Sequence, residues 1–384
     1  MLIYLAGFAL STALIALGEK KKTKHFVLLS VFALLIPCLI AALRAPYVGT
    51  DTTVYLKPLS HSAITADNLW EFFKTYWWYS YKNVYVEGYE IGFSLLVYLA
   101  GKSTASMVAV QFAVAAAIIV PIYITLARYR KQIPIWLGML MFYLFFFNST
   151  LNMMRQWMAM SFLLLAFQFM LEKKWGSTVA MSIIATLFHM SSVLGFAVFA
   201  VYWLLYLVRS KQVALGRFVI SGKLFTAFLL FAVSFLVLMN LDLVLKIMEL
   251  VGFTRFSNYL QGNAMRILPM QFVVRLPLIA LFAIHWKHFS RTTPLAAFFM
   301  AMLLLDTAAA QLISVDVYSF RIGYYFTVYL ILGVPMLIKS IPCPTKRRIS
   351  VLVLIGYLLF YWYYNYVMQM RHETVPYEFI NLIP

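Results

Sequence analysis

The chain has 384 residues, 64% of them hydrophobic and 11% charged, with a mean hydropathy of +0.85. No soluble domain of that length sustains such a balance, so the composition excludes a water-soluble globular protein and points to a membrane protein. A formal net charge of +18 would suggest nucleic acid in a soluble chain, but the way this charge is distributed excludes that reading.

Apolar runs occur in chain order at 2–17, 26–43, 105–127, 133–147, 149–171, 176–190, 191–208, 224–241, 272–286, 293–313, 322–340 and 349–366. They give about twelve spans, some short against the roughly 20 residues that a bilayer needs. The predicted fold class is all-α, a polytopic integral membrane protein forming a single transmembrane helical domain over 1–384. The first run lacks a basic n-region and carries Lys20, Lys21, Lys22 and Lys24 after it, so it reads as an N-out helix rather than a cleaved signal peptide. Alternate turns then hold 19 of the 31 cations with only Glu19 and Glu172, whereas the other side holds 12 cations and 11 acids. This is the positive-inside asymmetry: it predicts cytoplasmic cation-rich turns and extracytoplasmic termini.

Two long segments, 44–89 and 242–271, are expected on the outer side. The run 90–101 is apolar but too short to cross, and is expected as a re-entrant or interfacial helix. Residues 176–208 leave 33 positions for two spans around the weak break His189-Met190-Ser191-Ser192. Either short helices meet within the membrane there, or one span is lost. No internal repeat is visible, which weakens an inverted-repeat transporter, and no Gly-rich phosphate loop is present for a nucleotide. Cys38 and Cys343 fall near opposite faces, so no disulfide is expected; nor does any spacing suggest a metal or cofactor site.

Asn148, Asn152, Arg155 and Gln156 interrupt the most apolar part of the chain at helical offsets 0, 4, 7 and 8, one face of a helix. A cation within hydrocarbon costs at least ~2.5–3.5 kcal/mol and marks a cavity, a partner or a site. His189 follows on the same predicted side. In the first outer segment Arg44 suits a phosphate through its planar fork, while Asp51 either caps the next segment or polarises a hydroxyl. Residues 76–89 hold seven aromatics in fourteen positions, an interfacial belt or a stacking platform for sugar rings, with Tyr89, Glu87 and Glu90 beside it. Arg275 and Arg321 open further spans on that side. Asp306, an acid well inside a span, is expected either to have a cationic partner or to be neutral, and Arg155 or Arg321 are nearest to it in predicted depth. Convergence of Arg44, Arg155, Arg275 and Arg321 would suit a multiply charged anion such as a pyrophosphate.

Four motifs in order carry a family resemblance: Arg44…Gly49-Thr50-Asp51-Thr52…Tyr55; Glu87-Gly88-Tyr89-Glu90-Ile91-Gly92-Phe93; Asn152-Met153-Met154-Arg155-Gln156 with Phe188-His189-Met190-Ser191-Ser192; and Val375-Pro376-Tyr377. Together they resemble the EpsG family, multispanning bacterial proteins of exopolysaccharide and capsule gene clusters regarded as Wzy-type polysaccharide polymerases. The resemblance implies a glycosyltransferase of the cytoplasmic membrane with an outward-facing site. It would join undecaprenyl-pyrophosphate-linked oligosaccharide repeats, serving as donor and acceptor, with no cofactor. A flippase and a chain-length regulator of the same pathway are the further partners it implies, and nucleic acid is none of them. By position it makes Arg44, Asp51, Arg155, Gln156, His189 and Arg321 site candidates. Arginines would bind the pyrophosphate, and Asp51, Glu87, Glu90 or His189 would take the acceptor's proton. An O-antigen-ligase-like or other lipid-linked-donor glycosyltransferase is the first alternative, and a flippase or transporter the second.

Overall fold

Hydrocarbon offers no water to backbone N–H and C=O groups, so the apolar runs must satisfy them internally as helices. The computed structural model describes residues 1–208, 212–215, 218–240, 246, 250 and 265–380. Among these residues nine helices are long and apolar enough to cross a membrane, from Leu2–Glu19 to Pro344–Met368. A pair bent by 43°, Phe320–Thr327 with Leu330–Ser340, and the shorter apolar helices Ile135–Thr150 and Trp175–Phe188 fall on further runs. The protein is a multi-pass membrane protein and nearly all helical. The expected outer segment 242–271 lies mostly outside the described residues, as do Arg209, Lys211 and Arg217.

Two features depart from an all-helical reading. Tyr76–Tyr79 pairs antiparallel with Lys82–Tyr85, and Gln212–Leu215 with Phe218–Ser221. The first hairpin closes through Ser80 and Tyr81, at φ 52° and 63°, the two positive φ values of a type I′ turn, whose twist matches the strands. Its Trp and Tyr run fits a pleated ribbon as well as a membrane belt. The short run near 90–101 forms the helix Ile91–Thr104, of 14 residues, which ends at a left-handed Ala105 before Met107–Arg128 begins. At 1.5 Å per residue it is only ~20 Å long, too short to span.

The chain packs as two units, one of Met1–Val193 with Leu354–Pro384 and one of Leu194–Val353. In the first, Met154–Leu171 is the most enclosed span, with 78% of it buried against Met107–Arg128 and Trp175–Phe188. In the second, Ala296–Ser314 is 94% buried, wrapped by Gly222–Met239, Pro269–Thr292 and Phe320–Thr327. Asp306 sits in that wrapped helix, and its partner is neither Arg155 nor Arg321. Arg275 of Pro269–Thr292 donates from Nε to Asp306 Oδ2 at 2.6 Å and from Nη2 to Oδ1 at 3.2 Å. The two residues face each other across adjacent helices, so the bidentate pair forms within this unit. Arg321 instead lies over the Tyr318 ring, 5.0 Å from its centroid.

Tyr81 and Met190, 94% and 65% exposed, report one set of helix ends, and Lys22 and Lys174 the other. In a cysteine-less background, cysteine at the first two positions should react with a membrane-impermeant maleimide added to intact cells. Cysteine at the last two should react only after permeabilisation; the opposite pattern would invert the topology.

Candidate active site

The polar run Asn148, Asn152, Arg155 and Gln156 does not lie on one helix. Ile135–Phe142 passes through a π-helical turn, Tyr143–Phe147, and one last turn, Asn148–Thr150. The backbone then breaks at Leu151, Asn152 and Met153, and a new helix runs from Met154 to Leu171. Asn148 and Asn152 therefore serve the break. Asn148 accepts from Trp362 Nε1 at 2.7 Å and donates to Thr374 Oγ1 at 2.9 Å. Asn152 accepts from the Asp51 backbone N–H at 2.7 Å, and its Nδ2 lies 3.5 Å from His372 Nδ1. Arg155 and Gln156 start the new helix, at the end remote from the Glu172-Lys173-Lys174 turn.

Two close approaches bring the other segments here. Gly49 has φ +91°, and a Cβ there would sit 2.9 Å from the Leu151 carbonyl oxygen, so only glycine lets the first outer segment lie on the break. Gly92 does the same for Ile91–Thr104: its Cβ would meet the Leu187 carbonyl oxygen at 2.7 Å, two residues before His189.

The result is a cluster centred on Glu90. Its Oε2 accepts from Arg155 Nη1 at 2.5 Å, and its Oε1 accepts from His189 Nδ1 at 2.6 Å and from the Met190 N–H at 3.3 Å. The Arg155 guanidinium also lies over two rings, 4.8 Å from the Tyr89 centroid and 5.1 Å from that of Tyr55, a cation–π arrangement. Trp77 of the hairpin stacks on Tyr89 at 5.7 Å, which ties the aromatic ribbon to the arginine. Tyr55 donates its hydroxyl to Asp51 Oδ2 at 3.1 Å. Asp51 thus orients a tyrosine, and its carboxylate makes no hydrogen bond capping the π-helical turn Thr52–Leu56 that it precedes.

Burial would raise the Glu90 carboxyl, but the His189 hydrogen bond and the Arg155 charge outweigh it and hold the group at about 2, below its ordinary 4.5. Burial pushes Tyr89 up to about 12 against the pull of Arg155, and burial likewise raises Tyr55 well above its ordinary value, so both phenols stay protonated at neutral pH. Glu90 is 14% exposed and His189 25%, leaving the imidazole accessible while the carboxylate is held behind it.

Arg44 does not point toward this cluster as an open phosphate ligand. Only 2% of it is exposed. It donates to the carbonyls of Ala41, Val48 (3.2 Å) and Leu151 (3.3 Å) and to Thr52 Oγ1 at 3.0 Å. It clamps the outer segment to the helix break. Glu87 is exposed on the turn Val86–Gly88, and Gln156 is buried beside Arg155. Arg275 and Arg321 belong to the second unit. In the tail the sequence pointed to 375–377 but not to the residues just before: Thr50 Oγ1 donates to Glu373 Oε2 at 3.1 Å, Gly49 N–H to the Glu373 carbonyl at 3.0 Å, and His372 lies beside Asn152. Met370, His372 and Glu373 all have positive φ, at 49°, 69° and 52°. The signal available was a compact charged run, Arg371-His372-Glu373, in an otherwise aromatic and apolar tail.

Residues 11–379 match the EpsG family, nearly the whole chain. The chain belongs to the EpsG family. No curated protein and no solved structure matches it. Membership ties this EpsG-family protein to an exopolysaccharide-related polymerase role. The Glu90 cluster lies where two of the resembling motifs, those carrying Glu90 and Arg155 with His189, meet.

Removing one partner of a buried pair costs ~3–5 kcal/mol, less where solvent reaches it, so Glu90→Gln should lower the melting temperature in detergent. A carboxyl with a depressed folded value contributes in full above about 4.5 and loses that contribution as pH falls through about 2. The margin between wild type and E90Q should therefore be at least as large at pH 5 as at pH 7, and a margin gone by pH 5 would refute the ion pair. Gly92→Ala, which forces the helix off the Leu187 carbonyl, should reduce activity as severely as loss of His189 itself.

Proposed function

We propose that this protein is a polysaccharide polymerase, a glycosyltransferase that joins undecaprenyl-pyrophosphate-linked oligosaccharide repeats at the outer face of the bacterial cytoplasmic membrane. The observation that carries the reading is the Glu90 carboxylate held between Arg155 and His189 in an EpsG-family chain. It lies at helix ends remote from the cation-rich turns, which the positive-inside rule assigns to the cytoplasm.

The chemistry follows from what each group can still do. A carboxyl held at about 2 is a poor proton acceptor, so Glu90 is a positioning residue. By accepting the His189 Nδ1–H it fixes the tautomer that leaves Nε2 as the basic nitrogen, the same division of labour as in a carboxylate–histidine pair of a hydrolase triad. His189 Nε2 takes the proton of the acceptor sugar's hydroxyl as that oxygen bonds to the anomeric carbon of the donor. The bond from that carbon to the pyrophosphate oxygen breaks, and its electron pair leaves with the pyrophosphate. Arg155, held over the Tyr55 and Tyr89 rings, stabilises the growing negative charge, with the Tyr89 hydroxyl as a further donor. Tyr89, stacked on Trp77, steadies the Arg155 guanidinium that lies over its ring. Asp51, Asn152 and Gln156 shape the floor, and Arg44 holds it in place.

General-base catalysis contributes about 10²–10⁴-fold, so His189→Ala should lose polymerisation by that order while protein level holds. Arg155→Lys keeps the charge but not the planar fork, and should leave single lipid-linked repeats in a strain that otherwise makes long polymer. Normal chain lengths from both variants would remove the site. Purified protein should extend lipid-linked repeats without nucleotide sugar; a strict nucleotide requirement would assign it to another class of transferase. Full-length polymer failing only to reach its final acceptor would favour a ligase.

A further inference from the structure

The second unit contains a cleft of about 600 Å³ that the Glu90 cluster does not use. It lies between the helix Pro269–Thr292 and the 341–343 turn with the first turns of the helix that begins at Pro344. Ala280, Leu281, Ile284, Ile349 and Val353 make an apolar wall. His285, His288 and Lys346 stand at its mouth, with Ser350 Oγ 3.2 Å from His285 Nε2. From Lys346 to Val353 the wall runs about 10 Å along the helix, at 1.5 Å per residue.

The mouth is positive through Lys346 and the basic residues around it, and among the described residues no carboxylate lines the cleft. Between residues 277 and 353 the only carboxylates are Asp306 and Asp316. Asp306 is bound by Arg275, and Asp316 accepts from the Tyr318 N–H at 3.1 Å. Neither lines the cleft. Lys287, Arg291, Lys339 and Arg348 end or begin helices at the same level and add to the charge. Arg347 is engaged differently: its Nε and Nη2 donate to the Ile341 carbonyl at 3.0 and 2.6 Å, which stiffens the turn that frames the mouth.

An apolar wall below an unneutralised cationic rim matches an anionic amphiphile. A soluble anion gains nothing from the wall, and a zwitterionic lipid brings no net charge to the rim. We infer that this cleft binds an anionic phospholipid of the leaflet at the cation-rich helix ends, with the headgroup phosphate at His285, His288 and Lys346 and an acyl chain along the wall. The assignment is independent of the polymerase reading, since it concerns cation-rich helix ends of the second unit and is measured as binding.

The test uses the purified full chain in uncharged detergent with short-chain phosphatidylglycerol, phosphatidylcholine of the same chain length, or inorganic phosphate. Phosphatidylglycerol should bind saturably and raise the melting temperature, and the other two should do neither. Each cation near a membrane surface is worth about 1 kcal/mol toward an anionic lipid, roughly fivefold in affinity. His288→Gln with Lys346→Gln, both at exposed positions, should therefore weaken phosphatidylglycerol at least fivefold through the lost lysine charge, and Lys346→Arg should restore most of its share. Lys20→Gln with Lys22→Gln, at cation-rich ends of the first unit, should leave the affinity unchanged. Equal binding of both lipids, an unaffected H288Q/K346Q variant, or displacement by inorganic phosphate would each overturn the assignment.

Discussion

A charge or amide placed among apolar helices must be satisfied by the chain itself, and that requirement organises this protein. Arg155 is met by Glu90 and two aromatic faces, Arg275 by both oxygens of Asp306, and Arg44 by three carbonyls and a threonine. Each arrangement joins segments far apart in sequence; Arg155 and Glu90 are separated by 65 positions and His189 and Glu90 by 99. Polar side chains therefore determine which loop reaches which helix end, whereas apolar packing fills the space between.

The same requirement separates two kinds of arginine that look alike in sequence. Arg44 spends its donors on fixed backbone oxygens, so its role is to hold a loop. Arg155 pairs with a single carboxylate oxygen and otherwise rests on rings, so part of its hydrogen-bonding edge stays available to an incoming anion. A carboxylate held at low proton affinity behind an accessible imidazole likewise assigns different tasks to neighbours that composition alone would treat as equivalent acid–base candidates.

The helical runs were legible because hydrocarbon enforces long apolar stretches, and Arg155 and His189 stood out as ionisable groups within them. Much of the rest was not. No glycine or proline marks the break at Leu151-Asn152-Met153, so a continuous helical face seemed natural; the polar atoms there serve the break and the loops beside it. The aromatic run at 76–85 has the composition of a membrane belt and of a strand alike, and only cross-strand pairing distinguishes them. The direction in which Arg44 points depends on carbonyls that no local pattern encodes. Asp306 was expected to have a cationic partner or to be neutral, but depth along separate helices could not identify Arg275, because the pairing depends on which helices are neighbours.

The tail has a consequence for how the protein is made. Thr374 completes the bonding of Asn148, the Glu373 carbonyl and carboxylate hold Gly49 and Thr50, and Ala45 N–H donates to the Glu378 carbonyl at 2.8 Å. Segments emerging early from the ribosome thus wait for nearly the last ones before their polar groups are closed off. During synthesis, the helix break and the loop upon it would stay incompletely bonded until translation has passed residue 378.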